Sequence, residues 1–409
     1  MPSTRARCSV NSSTMRRIAV ISTSRADYGH LYWPLKEIEA HPELSLELIV
    51  IGAHLSPTFG RTVEEIKSDG FAITALVDCL DTEDSDVGMA RTIANATGQL
   101  SEVLAELRPD ILLLIADRYE MLAPASVALA LRIPIAHIEG GDISEGAVDD
   151  AVRNALTKMS HLHLTPTEDA RRRVLAMGEE AWRVTYAGAP SLDHLERSEL
   201  PDRARLEQTL GQTLSERVCV VAYHPVTLQD DTTSEMNAMF AALVSWNDQI
   251  VFCFPNADAG SSTLVERTVL FCQEPEQAKL YVNLDHLSYW ALLREATLMV
   301  GNSSSGIMET PSLGLPTVDI GARQQGRTRA ENIIHAEPDA SDIARAMTRA
   351  VSTGFLSSID GLQNPYGDGH ASERIIKVLA DAPGRQTLLR KRALPLAPEQ
   401  NAFVQDSEE

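Results

Sequence analysis

The chain lacks any excess of positive charge: 36 Lys and Arg stand against 57 Asp and Glu, for a formal charge of −21. Nucleic acids and anionic membranes are bound mainly by neutralising phosphates with Lys and Arg, so neither is expected as a partner, and any anionic ligand must be held by a local cluster. Long apolar runs are also missing. None reaches the roughly 20 residues of a membrane span, and residues 1–14 are polar and basic without the apolar centre of a signal peptide, which leads us to expect a cytoplasmic protein. Cysteine is scarce and unpatterned. Cys8, Cys79, Cys219, Cys253 and Cys272 are odd in number and show no CxxC spacing, so neither a disulfide framework nor a zinc site is expected. There is no His/Cys set with metal-ligand spacing, no GxGxxG after the first strand, no GxxxxGK[ST] and no GxSxG. Metal catalysis, dinucleotide binding and P-loop chemistry therefore fall away, and no cofactor is expected. Asp84-Ser-Asp86 has the form of a metal-binding DxD, but it precedes a long helix, where such residues cap.

What is present is an alternation of short apolar strands with amphipathic helices, the pattern of parallel sheets covered on both faces. With 409 residues, two domains are expected, since single cores seldom grow past roughly 250–300 residues. The first series predicts strands at 17–23, 46–51, 72–77, 111–115, 134–138, 161–165 and 184–187, with a turn at 24–29 before a helix running to about 40, and a long helix from about 87 to 107. Between 191 and 217 the pattern lapses into a charged, helix-prone segment. It restarts with strands at 218–223, 250–254, 280–282, 298–300 and 317–320 and helices near 234–244, 287–294 and 340–351. The expected organisation is a polar leader (1–16), a first Rossmann-like domain (17–195), a connection (196–217), a second Rossmann-like domain (218–383) and a surface tail (384–409). Both halves are α/β and doubly wound, facing a cleft at the carboxyl ends of their strands.

The stretch 297–316 organises the second half. An apolar strand runs into Gly301-Asn-Ser-Ser-Ser-Gly306, and a helix is predicted to start near Gly306. Glycine frees the backbone, Ser303 and Ser304 add hydroxyls, and orphan N–H groups at a helix start favour phosphate. The alternative is an ordinary Ser-capped turn. Glu309 could accept hydrogen bonds from a ribose diol, and Gly321-Ala-Arg-Gln-Gln-Gly-Arg327 offers two guanidinium forks for phosphate. Further polar residues sit at the other strand ends: Arg25 and Asp27; Asp117-Arg118-Tyr-Glu120; His137-Ile-Glu139; Asp149, Asp150 and Arg153; His224-Pro; and Asn256 with Asp258. Asp149 and Arg153, four apart, share a helix face. Asp117, Glu139 and Asp149 would gather opposite the diphosphate loop, where close carboxylates raise one another's pKa and can supply both a base and an acid.

As an ordered set these motifs, spanning about 17 to 335, resemble the hydrolysing UDP-N-acetylglucosamine 2-epimerases, including those acting on diacetylated bacillosamine-type sugars. The resemblance implies a glycosyltransferase-B-like fold of two facing domains. It implies acid/base roles for Asp117, Glu139 and Asp149, a histidine beside the phosphates in His224, diphosphate contacts from Arg25, Asn256, Ser303, Ser304 and Arg323, and a ribose contact from Glu309. Asp27, Arg118 and Arg153 complete the expected substrate-binding set. Ala116 stands where the family usually has Gly and Ala322 where it usually has Thr; the spacing after Glu139 leaves Asp149 and Asp150 both open. The implied activity is elimination of UDP to a 2-acetamidoglycal followed by hydration to the free manno-configured sugar, in a homo-oligomer. A non-hydrolysing epimerase, a glycosyltransferase and a silent nucleotide-sugar binder are the competing readings.

Overall fold

The structure, a computed structural model, describes residues 15–229, 231, 233–254, 258–273, 277–282 and 284–392. Two wholly parallel sheets carry the fold. The first joins β1 (Arg16–Ser22), β2 (Leu44–Ile51), β3 (Ile73–Val77), β4 (Ile111–Ile115), β5 (Ile135–Ile138), β6 (Leu162–Thr165) and β7 (Val184–Tyr186) in the order β3-β2-β1-β4-β5-β6-β7. The second joins β8 (Val218–Ala222), β9 (Gln249–Phe254), β10 (Ala278–Val282), β11 (Leu298–Gly301), β12 (Thr317–Ile320) and β13 (Ile333–Ala336) in the order β10-β9-β8-β11-β12-β13. Strands such as Ile111-Leu-Leu-Leu-Ile115 are buried at every position, as expected where helices cover both faces.

The strand order reverses once in each sheet, between β1 and β4 and between β8 and β11. Such switch points open a crevice at the carboxyl ends of the strands. Register fixes it: Val20 lies opposite Leu113 in the first sheet, and Gly301 opposite Ala222 in the second. Thr23–Arg25, Ala116–Asp117, His224 and Asn302–Ser304 all follow these four strands.

Packing revises several expectations. β13 falls where no strand is predicted, between the strand expected at 317–320 and the helix expected at 340–351, and a further unpredicted helix covers Ser261–Phe271. The helix Ala371–Asp381 returns to the first half: Ile375, Ile376 and Leu379 join the core formed by Ile18, Leu35 and Leu113. The expected 218–383 domain therefore does not stay with the second sheet. The tail is only partly a tail, because Leu388 is also buried in that first core and Arg183 donates to the carbonyls of Thr387, Leu388 and Arg390; residues 393–409 lie outside the described residues. In the expected connection, the helix Arg203–Leu210 buries Leu206 and Leu210 under the second sheet with Val220 and Leu292. Among the described residues, no helix is long and apolar enough to cross a membrane.

Candidate active site

Two adjoining cavities meet in the cleft, sharing Ala26, His30, His224, Ser304 and Met308. One is lined by Arg25, Ser303, Ser305, Tyr289 and Glu309. The other holds Asp117, Glu139, Asp149, Asp258, Arg323 and Arg327. The first thus gathers the serine loop and Glu309, and the second gathers the three carboxylates. Asn256 lies outside the described residues.

The serine loop is held by Asn302, which the sequence reading passed over. Its Oδ1 accepts from His224 N at 2.7 Å, its Nδ2 donates to His224 O at 2.9 Å, and its own carbonyl accepts from Gln324 Nε2 at 2.8 Å. The helix expected near Gly306 is only Ser305–Met308, with Glu309 at its end rather than one turn in. One turn sums few peptide dipoles, so an anion here depends on hydroxyls, N–H groups and guanidinium ions more than on a macrodipole. Tyr289 donates to Ser305 Oγ at 2.9 Å, and Ser305 in turn bonds Glu309. His224 places Nε2 3.3 Å from Ser303 Oγ. Burial first, then nearby Arg323, pushes the His224 pKa down to about 3, so the imidazole is neutral and offers one N–H. Buried His224 Nδ1, Arg323 Nε and Arg327 Nε have no protein partner among the described residues and are available to a polar ligand.

The carboxylates are sorted by their cations. Asp117 pairs with Arg153 and lies 3.9 Å from Arg327 Nη2; it does not pair with its neighbour Arg118. Asp149 accepts from Arg323 at 3.0 Å and lines the cavity. Asp150 instead accepts from Ser144 N at 2.8 Å and Asn154 Nδ2 at 3.0 Å, so of the two it is Asp149 that faces the cleft. Burial would raise the pKa of Glu139, but His30, then Arg327, reverse the sign and leave it below the usual range. Burial raises that of Asp149, only partly offset by Arg323. Two carboxyl groups of one cavity are thereby pushed apart, which is how one site can hold a base and an acid together. Ala116 and Glu139 both have left-handed backbones, with φ of 56° and 65°. Such conformations cost roughly 1–2 kcal/mol in non-glycine residues and concentrate at functional sites.

Three expected substrate contacts already have protein partners; Asp27 and Arg118 line the cavity of the carboxylates and Arg153 does not. Asp27 accepts from Thr23 N at 3.0 Å and also from the Thr23 hydroxyl. Arg153 is 1% exposed and donates to Asp142 O at 3.1 Å as well as to Asp117, so it reaches the chemistry only through Asp117. Arg118 joins the two halves, donating to Glu120 at 2.8 Å and to Asp258 at 2.7 Å, all three buried. Replacing Arg118 with Met leaves two buried carboxylates unpaired, and urea unfolding should show a loss of about 3–5 kcal/mol; a loss under about 1 kcal/mol would contradict the strut.

His30 was not found from the sequence. It lies on the helix Arg25–Ala40, whose residues 25, 26, 29 and 30 form one face toward the cleft, and that spacing from Arg25 was the available signal. Its Nδ1 is 2.7 Å from Glu139 Oε1 and its Nε2 is 3.7 Å from Glu309 Oε1. Asp84, read as a capping acid, does cap, but across the cleft: it accepts from Gly260 N at 2.8 Å and Ser262 N at 3.0 Å, while Ser85 caps its own helix. Glu65, Asp69 and His286 bring ligand atoms within 4.8 Å of one another. Glu65 already bonds His286 Nδ1 at 2.7 Å and Asp69 bonds the Tyr28 hydroxyl, so both carboxylates are engaged within the protein, whereas the buried His286 Nε2 has no partner among the described residues.

A sequence family described as UDP-N-acetylglucosamine 2-epimerase matches residues 36–380. The chain is 35% identical over 384 residues to the GDP/UDP-N,N'-diacetylbacillosamine 2-epimerase (hydrolyzing) of Campylobacter jejuni, covering 93% of this chain and 99% of that one. It is 33% identical over 380 residues to the UDP-N,N'-diacetylbacillosamine 2-epimerase (hydrolyzing) of Legionella pneumophila, covering 92% and 99%. Its fold matches the crystal structure of a UDP-GlcNAc 2-epimerase from Neisseria meningitidis bound to UDP-GlcNAc, with a TM-score of 0.76 at 17% identity over 89% of this chain and 99% of that one.

Proposed function

The chain belongs to the UDP-N-acetylglucosamine 2-epimerase family, and from that premise we propose that it hydrolyses a UDP-linked 2-acetamido sugar with inversion at C2, releasing UDP and the free manno-configured sugar. The observation that carries the reading is the pair of oppositely shifted carboxyls, Glu139 and Asp149, in one cavity that adjoins the serine loop. The C2 hydrogen of a sugar nucleotide is not acidified by a carbonyl, so a carboxylate alone could not remove it. Departure of the diphosphate from C1 develops oxocarbenium character and makes that proton removable. Ser303, Ser304 and Arg25, which line the first cavity, and a neutral His224 N–H beside Ser303 would meet the leaving phosphates. Glu139, held ionised, takes the C2 proton; water then adds at C1 of the 2-acetamidoglycal, and C2 is reprotonated from the opposite face by Asp149 or Asp117. Arg323 and Arg327 stand behind these acids and moderate their charge.

The names of the two relatives support UDP-N,N'-diacetylbacillosamine ahead of UDP-N-acetylglucosamine as the substrate, and hydrolysis rather than re-addition of UDP. The product is then a free 2-acetamido sugar of the kind that feeds sialic-acid-like biosynthesis in the cytoplasm, made by a homo-oligomer; light scattering tests the assembly. Reaction in H2-18O tests the bond that breaks. Elimination cleaves C1–O, so UDP should carry no 18O on its β-phosphate by 31P NMR; 18O there would mean attack on phosphorus and would overturn the mechanism.

A further inference from the structure

We propose that His30 is a positioning residue that orients Glu139 for proton abstraction and couples it, through Glu309, to the opposite half of the cleft. The inference rests on the epimerase reading for the role of Glu139. The geometry is a bridge: the imidazole stands on the helix after β1, with Nδ1 2.7 Å from Glu139 Oε1 and Nε2 3.7 Å from Glu309 Oε1, a residue of the second half. Glu139 follows β5 with a left-handed backbone, so its side chain leaves the strand end in a direction set by the fold. The hydrogen bond occupies Oε1 and leaves Oε2 to receive a proton.

Other histidines of this chain show what a merely structural role looks like. His54 lies between Ser22 Oγ at 2.8 Å and Thr62 Oγ1 at 2.7 Å, and burial pushes its pKa down to about 3. His194 bonds Ser198 Oγ and Gly29 O, each at 2.8 Å, and is likewise pushed down to about 3, chiefly by burial. Around His30 the partners are acids. Burial opposes its charge, but Glu139, then Glu309 and Asp27, outweigh burial and raise its pKa to about 9. Near neutral pH it is an imidazolium between two carboxyls, where both hydrogens are donors. The other titratable groups facing this cluster are Arg327, His137 and Asp142 near Glu139, Tyr289 near Glu309, and neutral His194 near His30. His137 is itself pushed down to about 4 by burial, so Arg327 is the other cation acting on Glu139. Loss of the imidazolium should therefore let the Glu139 pKa rise but not run free.

Three variants, His30→Gln, His30→Lys and Glu139→Gln, test this. His30→Gln should lower kcat by about 10²-fold with little change in KM, and should move the acid limb of the kcat/KM profile up by about 1 pH unit. His30→Lys, which restores a cation, should return the limb toward its original place. Loss of activity in both variants with the limb unmoved would show a structural role only and overturn the proposal, as would full activity in His30→Gln. A second measurement needs no turnover. In protein labelled at histidine 13Cε1, His30 should titrate near 9 in the native chain and fall clearly below that in Glu139→Gln, where burial is opposed by one acid fewer. An ordinary value in the native chain overturns the bridge. The expected titration in a protein that turns over no sugar nucleotide would instead leave the bridge standing and remove the epimerase reading.

Discussion

Glu139→Gln should lower kcat by about 10³-fold, within the range for loss of a general base, while UDP affinity measured by calorimetry changes by less than about threefold. The separation follows from position. Glu139 lines the cavity of the carboxylates and not the one formed by Ser303, Ser305 and Tyr289, so in the proposed reaction its replacement touches the sugar end and leaves the nucleotide contacts in place. Glutamine keeps the shape and can still meet His30, but it cannot accept the C2 proton. Because His30 and Arg327 hold the Glu139 pKa below the usual range against the effect of burial, the base form is present throughout the neutral range and is lost only as pH falls through that lowered value. The native acid limb should therefore lie in the acid region. Turnover retained within about tenfold in Glu139→Gln would remove Glu139 as the base, since a base contributes about 10² at the least.

Gly301→Ala should cost about 3 kcal/mol or more of stability and weaken UDP binding by about tenfold or more, summing backbone strain and overpacking. Gly301 ends β11 with φ of 144°, and a Cβ there would lie 2.0 Å from the carbonyl oxygen of Ala222 and 2.7 Å from its carbon. Those atoms belong to the paired strand β8, so relief requires β8 and β11 to part at the switch point. That movement would separate His224 from Asn302 and shift the serine loop. Gly314 provides the contrast: its φ is also positive, at 59°, but a Cβ would meet nothing within 4 Å, so Gly314→Ala should cost only about 1 kcal/mol, the price of the left-handed backbone. Equal losses in urea unfolding of the two variants would contradict the close approach at Gly301.

The strands were legible because each is a short apolar run that a parallel sheet buries on both faces, and the motifs were legible because they stand at the ends of those runs. Asp117, Glu139 and Asp149 do meet in one cavity, with Arg323 and Arg327 against them. What the sequence could not carry was partner choice. Arg118 follows Asp117 directly, yet the backbone turns the guanidinium to Glu120 and Asp258 and leaves Asp117 to Arg153, 36 positions on. His30 gained its meaning only when Glu139 and Glu309, 109 positions away in one case, were brought to its two nitrogens. The return of Ala371–Asp381 to the first core was hidden for a related reason: Ile375, Ile376 and Leu379 mark a buried face, and nothing local says which sheet it covers.

Proton NMR of the purified protein in D2O, with UDP-N,N'-diacetylbacillosamine and separately UDP-N-acetylglucosamine, tests the central claim most directly. The account predicts release of UDP together with a free manno-configured sugar carrying deuterium at C2, since the hydrogen removed by Glu139 cannot return undiluted from solvent. A manno-configured sugar still linked to UDP, or a free sugar that keeps its original hydrogen and configuration at C2, would contradict it.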